Sequence, residues 1–583
     1  MPSFKQFRLT LLATIFATAQ IAFIHPSHAQ GTGAQIQYDT SYDILSPVKA
    51  KNGIVSSEQG LASQVGLDVL KRGGNAVDAA VAVGFALAVV LPHAGNIGGG
   101  GFMLIHDAKS GKDIALDFRE LAPSLAHRDM FLDSSGKITP GSSTSTHLAV
   151  GVPGTVAGLD LALRKYGTMS LKELIAPSIK LADQGFEVTP NLAQLLEASR
   201  NQLGKWPSSR AIFFNGERPL RAGEQLVQKD LAKSLRLIAH QGPKAFYEGE
   251  IAKKIVAEMK NHGGLITADD MKNYLAVERQ AVTGTYRGYQ VVSMPPPSSG
   301  GVHIIQMLNM LEGYPLSKQG LNSAQTIHTM TEVMKLAYAD RAEYLGDPDF
   351  INVPVTGLTS KRYADELVKK INLEQATPSA QIKPGKPLPY ESDQTTHYSV
   401  ADKFGNVVAT TYTLNLLFGS GIVATGTGIT LNNEMDDFSV KAGVPNAFGL
   451  VGGDANSVAA KKRPLSSMTP TMVLKDGKPF LVTGSPGGSR IITTTLQIIV
   501  NVIDHQLNPA EATIAPRFHH QWEPDMTRLE RGFNADTLDI LKSKGHKFST
   551  GSSMGRTQTI KVTTEGFEAF ADPRNPDGRA LGY

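Results

Sequence analysis

Between residues 374 and 414 the sequence changes character abruptly, and that change narrows the folds open to the chain. Residues 374–394 contain Thr377-Pro378-Ser379, Lys383-Pro384-Gly385-Lys386-Pro387 and Pro389 without apolar periodicity, and read as an exposed, mobile connector. Directly after it, Thr396-His397-Tyr398-Ser399-Val400 and Val407–Leu414 are β-prone runs. They flank Asp402-Lys403-Phe404-Gly405-Asn406, a turn with Gly and Asn where a hairpin needs them. A turn centred on Phe404 sets Thr395 opposite Thr413 and leaves Asn415 just past the strand end; a two-residue loop shifts this register by one. The fold must accommodate an antiparallel hairpin that starts where a loose segment stops.

The rest of the chain mixes helices with short apolar strands. Leu61–Leu70 repeats apolar residues at helical spacing and stops at Gly73-Gly74. Ala76–Leu91 is apolar throughout, follows Asn75 and ends before Pro92, the pattern of a capped helix buried in the core. Gly98–Gly101 leads into Phe102-Met103-Leu104-Ile105, a buried strand, and the glycines allow close approach of a ligand or another strand. Residues 170–345 read as mostly helical, interrupted by a rigid loop at Pro295-Pro296-Pro297-Ser298-Ser299-Gly300-Gly301. Phe480–Thr483 reads as a strand, Ile491–Asp504 as a helix, and Gly484–Gly488 as the turn between them.

Lys5 and Arg8 precede an apolar run from Leu9 to Ile24, and Ser27-His28-Ala29 offers small residues at a cleavage site. Residues 1–29 are therefore expected to be a secretory signal, with a retained anchor helix as the alternative. No other stretch reads as membrane-spanning, so the mature chain is expected to be exported: periplasmic in a Gram-negative cell, otherwise secreted. The net charge of +4 comes from intermixed signs with no basic block, which speaks against a nucleic-acid partner. With no cysteine, disulfides, thiolate metal sites and a cysteine nucleophile are excluded.

Cleavage of the Gln394-Thr395 bond would give Thr395 a hydroxyl and a free α-amine on one residue. Such an amine titrates near ~8 and serves as a base close to neutral pH. Threonine paired with its own amine is a known nucleophile arrangement. By local pattern alone, Thr395-Thr396 reads more readily as the start of an ordinary strand.

Gln394-Thr395-Thr396-His397-Tyr398-Ser399-Val400 resembles the processing site of the γ-glutamyltranspeptidases, N-terminal-nucleophile hydrolases matured from one precursor. The likeness continues in order through Asp117-Phe118-Arg119-Glu120, Gly151–Thr155, the Pro295–Gly301 loop and Gly346-Asp347-Pro348. It extends to Asn432–Phe438, Arg463-Pro464-Leu465-Ser466-Ser467 and Gly484–Arg490. The resemblance implies an α/β (α+β) fold, the four-layer αββα sandwich. It implies self-cleavage into residues 30–394 and 395–583, which stay together as a heterodimer in one intertwined unit. Thr395 would first attack the Gln394 carbonyl and later the δ-carbonyl of glutathione or another γ-glutamyl compound, passing the group to water, an amino acid or a dipeptide. The same likeness implies that Thr413 bonds the nucleophile and that the Gly487 and Gly488 amides hold the oxyanion. Arg119, Ser466 and Ser467 would take the α-carboxylate, and Asn415, Glu434 and Asp437 the α-ammonium. No cofactor or metal is implied. Val440–Gly453 resembles the lid loop, with Phe448 where a tyrosine is usual; this predicts a looser lid and more hydrolysis relative to transfer.

Gly551-Ser552-Ser553-Met554-Gly555 fits a serine-hydrolase elbow, but Thr557–Val562 alternates like a strand where a helix is needed, and no histidine follows Ser553. His519-His520 reads as packing or capping rather than a metal site. Within the same fold, a glutaryl-cephalosporin acylase or a poly-γ-glutamate-processing enzyme is the alternative function.

Overall fold

The computed structural model describes residues 45–386, 396–551 and 553–583. The signal-like residues 1–29, Gln394, Thr395 and Ser552 lie outside the described residues. In chain order the principal strands are β1 (Val48–Ala50), β2 (Gly53–Ser57), β3 (Gly100–Asp107), β4 (Lys112–Phe118), β5 (Val277–Gln280), β6 (Val282–Tyr286) and β7 (Tyr289–Ser293). They continue with β8 (Thr396–Asp402), β9 (Val407–Thr413), β10 (Thr471–Lys475), β11 (Lys478–Thr483), β12 (Gln558–Thr563), β13 (Gly566–Ala571) and β14 (Arg579–Gly582). They make two seven-stranded sheets, ordered β14-β2-β8-β9-β3-β4-β5 and β1-β13-β12-β11-β10-β7-β6. Every pairing within them is antiparallel. Both sheets interleave strands that precede residue 386 with strands that follow residue 396.

Strand alternation explains the layers. Successive side chains point to opposite faces, so Phe102 and Leu104 of β3 enter the core between the sheets, while Met103 and Ile105 meet a helical layer. In the second sheet, Met472, Leu474, Val482 and Val292 face the first sheet, whereas Val473, Leu481 and Val291 face a different helical layer. Three apolar cores thus separate four layers, helices–sheet–sheet–helices, as expected from the sequence.

The first helical layer is built around α1 (Gly60–Lys71) and α2 (Ala76–Val90). All of α2 is buried, the mark of a helix that is apolar on every side. Its start is fixed by Asn75, which accepts from Val77 N and Asp78 N, with Asp78 returning the bond to Asn75 N; such a cap contributes about 0.5–2 kcal/mol. Among the described helices, none is long and apolar enough to cross a membrane.

Three expectations need correction. Residues 277–293, inside the stretch read as mostly helical, form β5–β7; Tyr286, Tyr289 and Val291 pack on the outer core while the next residue, Val292, enters the core between the sheets, the two-sided burial of a strand. Gly300 and Gly301 belong to the first turn of a helix, Gly300–Leu311, rather than to the proline loop. A side chain at Gly300 would lie 2.1 Å from Thr469 Oγ1, so close packing accounts for that glycine.

The third correction concerns the described part of the connector, which is held along its length. Ala376 N donates to Lys544 O and Thr377 N to Glu332 Oε2; Lys335 Nζ donates to Thr377 O. Ser379 Oγ donates to Asp525 Oδ1, Gly385 N donates to Asp340 Oδ1 and Tyr344 Oη donates to Gly385 O. These partners lie on distant parts of the chain, so no local pattern reports them.

Candidate active site

The hairpin β8–β9 carries the site. Its turn is closed by Asp402, whose Oδ1 accepts from Phe404 N and Asn406 N while Oδ2 accepts from Ala76 N at the start of α2. Gly405 sits at φ +90°, where glycine is favoured. The register is the one expected from a turn centred on Phe404: Thr396 pairs with Tyr412, and the ladder runs unbroken to Ala401 and Val407. On its other edge β9 pairs with β3, Thr413 opposite Gly100. A Cβ on Gly99 would come within 1.9 Å of Thr413 O, so the glycine run serves close approach of strands. Asn96 Nδ2 donates to that same carbonyl at 2.8 Å, and Thr413 Oγ1 accepts from Asn415 N at 2.7 Å.

Behind the strand ends lies a buried ion cluster. Arg119 follows β4 and is 0% exposed. Its Nη1 donates to Glu434 Oε1, and its Nη2 to Asp437 Oδ2 at 2.5 Å and to Leu465 O at 3.1 Å. Nε donates to Pro464 O, and the Arg119 carbonyl accepts from Tyr274 Oη. Burial lowers the guanidinium pKa, but Glu434 and Asp437 beside it more than restore it, so Arg119 is charged. Glu434 and Asp437 come from one short 3-10 turn, Glu434–Asp437, which brings both carboxylates onto the same guanidinium.

Glu120, the last residue of the Asp117-Phe118-Arg119-Glu120 motif, is part of the cluster. It is fully buried, and neither carboxylate oxygen has a hydrogen-bond donor among the described residues. Burial pushes its pKa well up, and Glu434 alongside pushes it further, against the pull of Arg119. One guanidinium faces three carboxylates, so burial raises the pKa of both Glu120 and Glu434 and favours a proton within the cluster. The adjacency of Glu120 to Arg119 was the available signal; its burial was not readable from sequence.

Ser466 and Ser467 reach the site from the opposite sheet. The proline loop grips this segment: Ser466 N donates to Pro297 O and Ser299 N to Ser466 O. Ser467 is buried and its Oγ has no partner among the described residues. Asn415 sits at φ +74°, its Nδ2 donates to Asn433 O, and its buried Oδ1 has no donor among the described residues.

Gly487 (φ +136°) and Gly488 (φ +66°) stand just ahead of the helix Arg490–Ile503. Among the described residues neither amide has an acceptor. Two free N–H groups at a helix start suit an anion. Underneath, a Cβ on Gly484 would strike the His397 ring at 2.5 Å. His397 is buried between Thr411 Oγ1 and Ser399 Oγ, and burial lowers its pKa to about 3. It is a neutral packing residue.

The segment Val440–Gly453 covers a cavity of about 260 Å³ lined by Asp436, Asp437, Asn446, Ala447 and Leu450. Phe448 packs against the outer apolar core that includes Leu450. From this segment Asn446 approaches the ion cluster, its Nδ2 lying 3.5 Å from Asp437 Oδ1, a contact that no local pattern reports. His519 bonds Thr493 Oγ1 and Gln521 Oε1, and His520 faces Asp525.

Two antiparallel sheets between helical layers, with convergent donors and acceptors at the strand ends, are the architecture of the N-terminal-nucleophile hydrolases, and the chain is an enzyme of that class. The family model for gamma-glutamyltranspeptidase matches residues 62–582. The glutathione hydrolase proenzyme of Escherichia coli (strain K12) is 57% identical over 550 residues, 94% of this chain and 95% of that protein. Among solved structures, a cephalosporin acylase from Bacillus halodurans superposes with a TM-score of 0.83 at 31% identity, covering 94% of this chain and 98% of that one. The gamma-glutamyltranspeptidase of Helicobacter pylori superposes with a TM-score of 0.58 at 50% identity, over 58% of this chain and 97% of that one. This chain belongs to the γ-glutamyltranspeptidase family.

Proposed function

We propose that the chain is exported, cuts itself between Gln394 and Thr395, and then transfers γ-glutamyl groups from glutathione and related compounds to water, amino acids or dipeptides. In this reading residues 1–29 are removed, and residues 30–394 and 395–583 remain together as large and small subunits. Thr395 Oγ attacks the Gln394 carbonyl carbon, the C–N bond breaks as the acyl group moves from nitrogen to oxygen and frees the α-amine, and water hydrolyses the ester to release the Gln394 carboxylate and restore the hydroxyl. That amine then takes the Oγ proton as Oγ attacks the δ-carbonyl of the substrate. The Gly487 and Gly488 amides bond the tetrahedral oxyanion, and collapse expels the amine half of the substrate with the proton. Water or an acceptor amine repeats the sequence on the acyl-enzyme. Thr413 orients the nucleophile.

The observation that carries this reading is a set of buried polar atoms without partners beside a cluster with more carboxylates than cations. Among the described residues Asn415 Oδ1 lacks a donor and Ser467 Oγ lacks a partner, and the single Arg119 guanidinium stands against both Glu434 and Asp437. A γ-glutamyl group brings an ammonium for Asn415 Oδ1 and the neighbouring carboxylates and a carboxylate for Ser467 Oγ, and meets those needs; Arg119, held by Glu434 and Asp437, keeps these two carboxylates in place beside the ammonium. A glutaryl group, the acyl part of the acylase alternative, has no ammonium and would leave the acceptors unmet. The decisive variant is Thr395→Ala. The expected result is a single uncut chain that releases no p-nitroaniline from γ-glutamyl-p-nitroanilide. Turnover by that variant, or a small subunit beginning at another residue, would sink the assignment. Faster deacylation of glutaryl-cephalosporin than of the γ-glutamyl anilide would favour the acylase instead.

A further inference from the structure

Away from the catalytic cluster, His147, Glu258 and His262 converge. His147 lies on the 3-10 turn His147–Ala149, and Glu258 stands near the end of the helix Glu250–Asn261, four residues before His262 and so on the same face. Glu258 Oε1 is 3.1 Å from His147 Nε2 and 3.2 Å from His262 Nδ1, and the three atoms lie within 4.8 Å of one another. An ion with tetrahedral bonds of about 2.0–2.2 Å holds its ligands about 3.3 Å apart. The two histidine–carboxylate edges therefore already have the right length.

We propose that His147, Glu258 and His262 form a binding site for a divalent transition metal of the Zn2+ class, with a fourth position left for water. The donor set, two imidazoles and one carboxylate, matches that class rather than Ca2+ or Mg2+. Glu258 Oε2 is occupied by Thr425 N at 3.2 Å, which fixes the carboxylate and leaves Oε1 for the ion. The Trp206 ring stands edge-on to His147 and walls one side, while the half-exposed His262 provides the way in. His262 Nδ1 also contacts Glu258 O at 3.0 Å; ligation exchanges that hydrogen bond for the metal and moves the ring proton to Nε2. Lys205, the nearby cation, lies over the Trp206 ring and not on the carboxylate.

A second cluster of the same residue types shows the contrast. His328, Glu332 and His546 also lie within 4.8 Å of one another. There, however, Lys335 Nζ already sits 2.8 Å from Glu332 Oε1 as the counter-cation, and His328 Nδ1 bonds His546 Nε2 at 2.7 Å. All three are buried. A site that holds its own ammonium has no need of a metal.

The test uses untagged, matured protein stripped of metal, titrated with Co2+ to read tetrahedral d–d absorption and with Zn2+ in competition. One equivalent should bind, and His262→Ala should weaken Zn2+ affinity by about tenfold or more, as should His147→Asn. His127→Ala, which removes an exposed histidine elsewhere, should leave affinity unchanged. Absence of a tetrahedral spectrum in the unsubstituted protein, or equal Zn2+ affinity in His262→Ala, would overturn the proposal.

Discussion

Glu120 and Glu434 lie fully buried against one guanidinium, and the charge state of the whole cluster follows from which of them keeps a proton. Because the Glu120 pKa is raised in the fold, the folded state binds a proton that the unfolded chain has released once pH passes the ordinary carboxylate range. Stability attributable to this residue therefore falls as pH rises above that range. Glu120→Gln is isosteric with the neutral acid and removes the penalty. Relative to the unsubstituted protein, it should gain stability between pH 5 and pH 8 in urea denaturation while retaining most of its activity. A variant that instead loses ground at pH 8 would show Glu120 to be ionised. Of this cluster, Arg119, Glu434 and Asp437 were legible from motif order, but the buried acid behind them was not. Protonation depends on burial, and burial is a property of neighbours far away in sequence.

At the scale of elements, the glycine run before β3 and the lid make separate predictions. A Cβ at Gly99 would meet the Thr413 carbonyl, backbone against side chain, with no flexible atom to yield. Gly99→Ala should displace the end of β9, slow maturation by at least about tenfold and lower the melting temperature by several degrees, of the order expected for overpacking of about 1–3 kcal/mol. Gel analysis of chain cleavage over time reads the first effect and calorimetry the second. In the lid, Phe448 packs against the outer core rather than bonding the cluster, so Phe448→Tyr adds a hydroxyl at a half-buried position. The expected outcome is a lower ratio of hydrolysis to transfer, measured with a dipeptide acceptor; an unchanged ratio would show that the lid is fastened by other groups, such as Asn446.

Over the whole molecule, buried neutral histidines set the acid limit of the fold. His93, His303, His397, His519 and His546 are each brought down to about 3, burial being the leading cause. Their folded pKa values lie below the unfolded 6.5, so the unfolded chain takes up more protons between those limits. Stability is present above pH 6.5 and is lost as pH falls toward 3. Denaturation midpoints should already decline between pH 7.5 and pH 5.5, before most carboxylates titrate. A flat profile across that interval would contradict the histidine environments described here.

Local pattern determined a good deal: the hairpin and its turn, with a register fixed to within one residue, the cap of the helix that begins at Ala76, and the turn before Arg490 all follow from short-range sterics and period. Chain order of the motifs also fixed the family. Only the tertiary structure decided that 277–293 supplies strands to both sheets, that residues 376–385 are fastened down, and that Asn415 Oδ1 and Ser467 Oγ lie buried without partners among the described residues. The division has a physical cause: propensity and turn chemistry act within a few residues. Burial, desolvation and the pairing of polar groups depend on segments hundreds of residues apart in the chain.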